Sequence, residues 1–409
     1  MSFHDLADQL MSRADELAAF SEMDGGITRR YGTPPLKSAM ELAAKWMREA
    51  GLETEFDAFG NLIGTYAAEE GSAESRPFVI GGHLDSVRDA GRYDGTLGVM
   101  SGIATIQHLH NEGKRLPFPV QLIAFADEEG LRYSTLLASR VWAGLPLDDR
   151  LEQPDEDGIA LADAIRAFGG DSDALQHRET PEILGFLETH IEQGPILEQE
   201  DLPVGVVSSI VGSERAWITI RGMAGHAGTL PMTMRKDALA AAAEAVLAVE
   251  AVGRETEGLV ATVGELYVRP GASNVVPGEV RLACEVRHAS EETCVQALAE
   301  IRTRIQETCE RRGTTLVWEP TAGYRGTAMD EGLRARLRDA IAAEGYRPLE
   351  LTSGAGHDAI NIARIAPVSM LFVRCKDGIS HNPAESITAA DAEAAVRVMV
   401  RFLDGLVSS

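Results

Sequence analysis

The chain has 409 residues, 44% of them hydrophobic, and its 63 acidic residues against 38 basic ones give a formal net charge of −25. That length exceeds one ordinary core and calls for two domains, while the charge disfavours nucleic acid and anionic membranes as partners. No apolar run reaches the roughly 18 residues that span a bilayer, Met1 to Phe20 lack the basic start and apolar core of a secretory signal, and Cys284, Cys294, Cys309 and Cys375 show no C-x-x-C spacing, so a reduced, cytoplasmic protein is expected.

Helix-period Leu, Ala and Met predict helices over residues 5–20 and 35–50, the second introduced by Pro34 and Pro35. Between them, Gly25-Gly26-Ile27-Thr28-Arg29 reads as a glycine-bearing loop in which Arg29 either faces a pocket or belongs to a plain turn. Strand, loop and strand follow from Glu53 to Tyr66. The apolar run Phe78-Val79-Ile80 predicts a buried strand with His83, Asp85 and Asp94 past its carboxyl end, where open α/β sheets bind ligands, and a helix over 96–109 comes next. Gly91, Gly95 and Gly98 leave room for a tight loop there.

A second buried strand, 120–125, ends in Asp127-Glu128-Glu129-Gly130. Taken alone those carboxylates could be a solvated loop face; beside the first strand end, one could ligate a metal while its neighbour served as general base. A third apolar run, 183–187, precedes His190, and the charged stretch 148–180 predicts a helical excursion with surface loops. From about Val211 the texture changes to strand 216–222, helix 236–252, strands 259–268 and 280–287, helix 291–311 and strand 314–318. That βαββαβ order is the split βαβ unit, an α+β sandwich expected as an insertion at 211–327 between two parts of one α/β domain, 1–210 and 328–409. A helix over 330–344 and the strand 368–373 return to the first style, and His381 precedes a closing helix to Leu406.

His83, Asp94, Glu129, His190 and His381 are therefore expected to gather from separate strand ends. Two histidines on one ion, a histidine and a carboxylate on the other, and Asp94 bridging would make a two-metal centre. Mixed imidazole and carboxylate donors suit Mn, Zn, Co or Ni without choosing among them.

The motifs His83-x-Asp85 with Asp94-Gly95, Glu128-Glu129-Gly130, His190-Ile191-Glu192-Gln193-Gly194, Gly225-His226-Ala227-Gly228, Ser353-Gly354-Ala355-Gly356-His357-Asp358 and Gly378-Ile379-Ser380-His381-Asn382 together resemble the hydantoinase/carbamoylase branch of the M20 metallopeptidase family, over nearly the whole chain. Within that branch the stretches 221–232 and 269–278 are most similar to enzymes acting on allantoate, with N-carbamoyl-L-amino-acid hydrolases close behind. The resemblance implies a mixed-sheet metallohydrolase domain with helices on both faces, a ferredoxin-like lid and dimerisation domain, and a homodimer. It implies two divalent ions per subunit, one held by His83, Asp94 and His190 and the other by Asp94, Glu129 and His381.

Asp85 would orient His83, Glu128 would act as general base, and His226, reaching across the dimer, would stabilise the oxyanion. Gln193, Asn274, Arg287, Gly356 and His357 would hold a small anionic ureido substrate, and a cis peptide would follow Asp94. In a chain this acidic, Arg287 makes sense as a bidentate cation for a carboxylate, although a surface ion pair on a strand fits its position equally well. The implied reaction cleaves the ureido C–N bond of allantoate to ureidoglycine, ammonia and carbon dioxide, with N-carbamoyl-L-amino-acid hydrolysis as the alternative. A metal-free, non-catalytic binding protein on the same scaffold is a reading of another class; the presence of all five ligands and Glu128 argues against it.

Overall fold

A computed structural model describes residues 1–177 and 179–407. The chain divides into two compact units, Met1–Ser208 with Ala328–Ser409, and Ser209–Thr327.

The first unit is built on a mixed sheet. Its order is Glu53–Phe56, Leu62–Tyr66, Val120–Phe125, Phe78–His83, Gly185–Ile191, Val368–Val373, Val204–Ile210 and Thr327–Ala328, with Glu350–Ser353 paired to Val204–Ile210. The strands Val120–Phe125, Phe78–His83, Gly185–Ile191 and Val368–Val373 run parallel to one another, and antiparallel strands flank them on both sides. Every residue of Phe78–His83, Gly185–Ile191 and Val368–Val373 is buried, as befits strands covered on both faces.

Helices supply that cover. On one face, Gly82 backs onto the start of the helix Thr96–Asn111, and Thr189 meets Met399 of the helix Ala389–Gly405. On the other, Phe186 meets Phe125, whose ring lies edge-on to Trp142, and Glu188 accepts the N–H of Ala359. Two long helices begin with reciprocal capping boxes, Ser2 with Asp5 and Thr388 with Asp391, and Pro34 and Pro35 open Pro34–Glu49, where the missing N–H is harmless. The two parts of this unit meet at Met329, whose N–H donates to Ser208 O at 3.0 Å.

The second unit runs strand Gly212–Arg221, helix Ala238–Glu255, strands Val260–Arg269 and Glu279–His288, helix Glu291–Arg312 and strand Thr315–Tyr324. Its four strands form an antiparallel sheet in the order Thr315–Tyr324, Gly212–Arg221, Glu279–His288, Val260–Arg269. Ile218, Ile220, Val280 and Leu282 from the sheet pack with Ala241, Ala245 and Val249 of one helix and Ile301 and Ile305 of the other. The last strand extends well beyond the predicted 314–318; it lies at the sheet edge, where Pro320 need not donate to a second neighbour. Among the described residues no helix is long and apolar enough to cross a membrane.

Candidate metal centre

The parallel strands deliver the site. His83 ends Phe78–His83, Glu128 and Glu129 follow Val120–Phe125, His190 lies at the end of Gly185–Ile191, and His381 comes after Val368–Val373. All four strands share one direction, so their carboxyl ends line a single edge of the sheet.

Asp94 stands at the centre. Its Oδ1 is 3.1 Å from His190 Nε2 and 3.7 Å from His83 Nε2, while its Oδ2 is 3.2 Å from His381 Nε2. Glu129 Oε1 lies 3.7 Å from the same nitrogen of His381. Two donor groups result, His83 with Asp94 and His190, and Asp94 with Glu129 and His381, each with its ligand atoms within 4.8 Å of one another. A third group of that size joins His83 to Glu128 and Glu129. His83 Nδ1 faces Asp85 O at 3.1 Å and His190 Nδ1 faces Ile191 O at 2.9 Å. A carbonyl only accepts, so each Nδ1 carries a proton and each Nε2 is the nitrogen left to face the centre, where a cation could take the place of a second proton.

Asp85 also holds the opposite wall. Its carboxylate accepts the N–H of Glu128 and of Glu129, both at 3.0 Å, and its Oδ1 lies 3.4 Å from His83 Nδ1. Gly95, at φ 64°, turns the chain out of the loop into the helix Thr96–Asn111, and any Cβ there would strike the His83 ring. The cis peptide expected after Asp94 is absent: that bond is trans, the left-handed Gly95 makes the turn instead, and the cis bond among the described residues is Arg269–Pro270. Gln193 and His381 are also left-handed, at φ 56° and 55°, a conformation that costs a non-glycine residue about 1 kcal/mol or more and clusters at functional sites.

The pocket is short of positive charge. Burial opposes ionisation of Asp94, but hydrogen bonds from His190 and His381 outweigh it and hold its carboxyl well below the usual range. Burial pushes Glu128 well up, with Glu129 adding to the effect and His83 opposing it. Burial and the charge of Asp94 push Glu129 to about 7. Asp94 raises His381 to about 9, and His83 is raised against burial by Asp85 and Glu128. Glu129 Oε1 is buried with no hydrogen-bond partner among the described residues. Divalent cations fit this donor set, supplying the charge it lacks and the partner that oxygen is missing. His83 and His190 side chains are 2% and 1% exposed while His381 is 51% exposed, so the site opens on the His381 side.

The remaining predicted residues fall in two places. In the first unit, Gln193 Nε2 donates to Asp94 Oδ2 at 3.0 Å, and His357, buried beside Gly356, packs edge-on to His190 with its Nε2 2.7 Å from Ser353 Oγ. In the second unit, the short ladder that pairs His226 with Val275 sets His226 beside Asn274, whose carbonyl accepts the N–H of Ala227. Arg287, on Glu279–His288, has its Nη2 3.1 Å from Glu285 Oε2.

Sequence reasoning missed three residues of the site. Ser380 Oγ donates to Asp94 Oδ2 at 2.7 Å. Glu385 Oε1 accepts the N–H of Tyr93 at 2.7 Å and of Asp94 at 3.1 Å, and a side chain at Gly91 would collide with it. Glu188, pushed to about 7 by burial, was detectable as a lone acid inside a strand otherwise read as buried.

Residues 79–405 match the family described as peptidase family M20/M25/M40. The chain is 36% identical to allantoate deiminase 1 of Glycine max over 98% of its own length and 90% of the relative's. It is 37% identical to an N-carbamoyl-L-amino acid amidohydrolase of Geobacillus stearothermophilus, covering 96% of both chains. Among solved structures it is similar to an amidase of the hydantoinase/carbamoylase family from Burkholderia multivorans, with 32% identity, a TM-score of 0.87 and 98% of each chain covered. It is also similar to AtUAH in complex with (S)-hydroxyglycine, with 30% identity, a TM-score of 0.88 and all of both chains covered.

Proposed function

This chain belongs to peptidase family M20/M25/M40, in the hydantoinase/carbamoylase branch, and on that premise we propose that its metal centre hydrolyses the ureido C–N bond of allantoate. The chain is a metal-dependent hydrolase of non-peptide C–N bonds. Water and allantoate give ureidoglycine, ammonia and carbon dioxide. The observation that carries the reading is the division of Asp94, with Oδ1 toward two histidines and Oδ2 toward a third, beside a buried glutamate that makes no such division.

Two divalent ions per subunit, Mn, Zn, Co or Ni, would be held by His83, Asp94 and His190 and by Asp94, Glu129 and His381; when bound they polarise the carbonyl and acidify water. Glu128 takes the proton of the attacking water and returns it to the departing nitrogen, a role supported by burial that raises its basicity. Asp85 positions Glu128 through its backbone and His83 through its ring. His226 stabilises the oxyanion, and Gln193, Asn274, Arg287, Gly356 and His357 hold the small anionic substrate. The pairing of His226 beside Asn274, and of Gln193 with Asp94, supports that division of labour.

The strand order of the second unit supports a ferredoxin-like fold, and in this reading the unit acts as a lid and dimerisation domain. Exposed Leu247 on Ala238–Glu255 and Val260, Leu266 and Tyr267 on the edge strand support a homodimer formed along that edge of the unit. Four buried, unpaired cysteines support a cytoplasmic location.

N-carbamoyl-L-amino-acid hydrolysis is the second reading, favoured by a relative of that activity at 37% identity. Ammonia release from allantoate and from a panel of N-carbamoyl-L-amino acids, with Mn supplied, separates the two. Turnover of allantoate at a higher kcat/KM supports the first, and turnover of the carbamoyl panel alone overturns it.

A further inference from the structure

The segment Ile27–Arg29 lies along the loop that carries Asp85 and Asp94. Ala90 N donates to Ile27 O at 2.8 Å, Asp89 N to Thr28 Oγ1 at 3.1 Å, and Ser86 N to Arg29 O at 3.0 Å, while Arg29 N returns a bond to Ser86 Oγ at 3.0 Å. The Arg29 side chain is among the largest that are fully buried. Its guanidinium divides its donors among three acceptors: Nε to Leu84 O at 2.8 Å, Nη1 to Leu17 O at 2.9 Å and Nη2 to Thr96 Oγ1 at 3.3 Å. Leu84 directly follows His83, and Thr96 stands two residues past Asp94, so one rigid fork spans both ends of the ligand-bearing segment. Burial pulls the guanidinium down to about 10 while Asp85 draws it back up, which leaves it cationic at neutral pH. Its positive charge is thus fixed within electrostatic reach of Asp85, the carboxylate that holds His83 and the N–H groups of Glu128 and Glu129.

We propose that Arg29 is a positioning residue of the metal centre: its buried guanidinium clasps Leu84 and Thr96 and counter-charges Asp85, so that His83, Asp94 and Glu129 are set in place before the cations arrive. Arginine suits this role where lysine does not. A single ammonium cannot reach three acceptors arranged for a planar fork, and a neutral side chain takes from the Leu84 carbonyl the donor that Arg29 Nε supplies. The competing role is a core staple, joining Leu17 of the first helix to the sheet; that role moves stability and leaves cation affinity alone.

The inference rests on the two-cation reading above, and the test keeps the two apart. The full chain is stripped with a chelator and titrated with Mn²⁺ by calorimetry, as wild type, Arg29→Lys, Arg29→Met and Thr96→Val, with the melting temperature of each stripped protein recorded. Arg29→Met is expected to weaken Mn²⁺ binding by about 10- to 100-fold, as loss of a group that orients metal ligands does. Arg29→Lys shifts it in the same direction. Thr96→Val, which removes only the Nη2 acceptor, weakens it by about two- to tenfold. Variants that melt lower yet bind Mn²⁺ with wild-type constants overturn the proposal. Should both Arg29 variants fail to fold, wild-type affinity in Thr96→Val overturns it alone. A wild type that takes up no Mn²⁺ overturns the two-cation reading itself, and the positioning role with it.

Discussion

Replacing Glu385 by glutamine is expected to stabilise the metal-free protein in a pH-dependent way. Glu385 is 1% exposed; one oxygen accepts two backbone N–H groups, and the other is buried with no partner among the described residues. Burial, with the nearby charge of Asp94, raises its pKa from 4.5 to about 7. Between those values the folded chain keeps a proton that the unfolded chain has released. The stability tied to that proton is therefore fully present below pH 4.5 and is lost as pH rises through about 7. The gap, at about 1.4 kcal/mol for each tenfold step, amounts to about 3 kcal/mol.

Glutamine keeps an amide oxygen for Tyr93 and Asp94 and never ionises. Urea unfolding of the chelated protein should thus find Glu385→Gln close to wild type at pH 5 and more stable by up to about 3 kcal/mol at pH 8. Loading with Mn²⁺, which brings positive charge beside Asp94, should narrow the difference. An advantage at pH 8 no larger than at pH 5 would refute the reasoning.

Glu128→Gln should lower kcat by about 10²- to 10⁴-fold while elemental analysis still finds two metal ions per chain, since it removes a proton carrier and not a ligand. Asp94→Asn, which leaves one anionic contact fewer for each ion, should reduce the bound metal to one ion or none per chain by the same measurement. Arg287→Lys should raise KM for a substrate carboxylate by about tenfold with little change in kcat, because a point charge replaces a bidentate fork; an unchanged KM would place Arg287 outside the substrate site. Leu247→Glu should shift the sedimentation of the protein from dimer to monomer at micromolar concentration without loss of helical signal.

The candidate ligands could be picked out because each follows an apolar run long enough to be a buried strand, and strand direction then dictates where they meet. His83, Glu129, His190 and His381 share that property. The order of strands and helices from Gly212 to Tyr324 was equally open to reading, since the strands alternate and the helices do not. What escaped was chemistry that acts across the chain. Glu385 reaches Tyr93, 292 positions away, and Arg29 reaches Leu84, 55 positions away, through backbone atoms that leave no mark on side-chain pattern. Arg29 in particular looked like part of a turn, because a glycine pair precedes it and no apolar period surrounds it. The peptide after Asp94 was expected to be cis, yet the glycine that follows has the freedom to bend the chain without it.

The hydrogen bond from Met329 to Ser208 means that the chain departs for its second unit and comes home at nearly the same point. Cutting out Ser209–Thr327 and bridging the gap with a short turn would leave every proposed ion-holding side chain within one continuous remainder. Such a trimmed protein could report cation uptake in isolation from whatever the missing segment does to the reactant. Its architecture is that of a socket: one inserted segment could be exchanged for another without rewiring the strand ends that carry the ion-holding side chains.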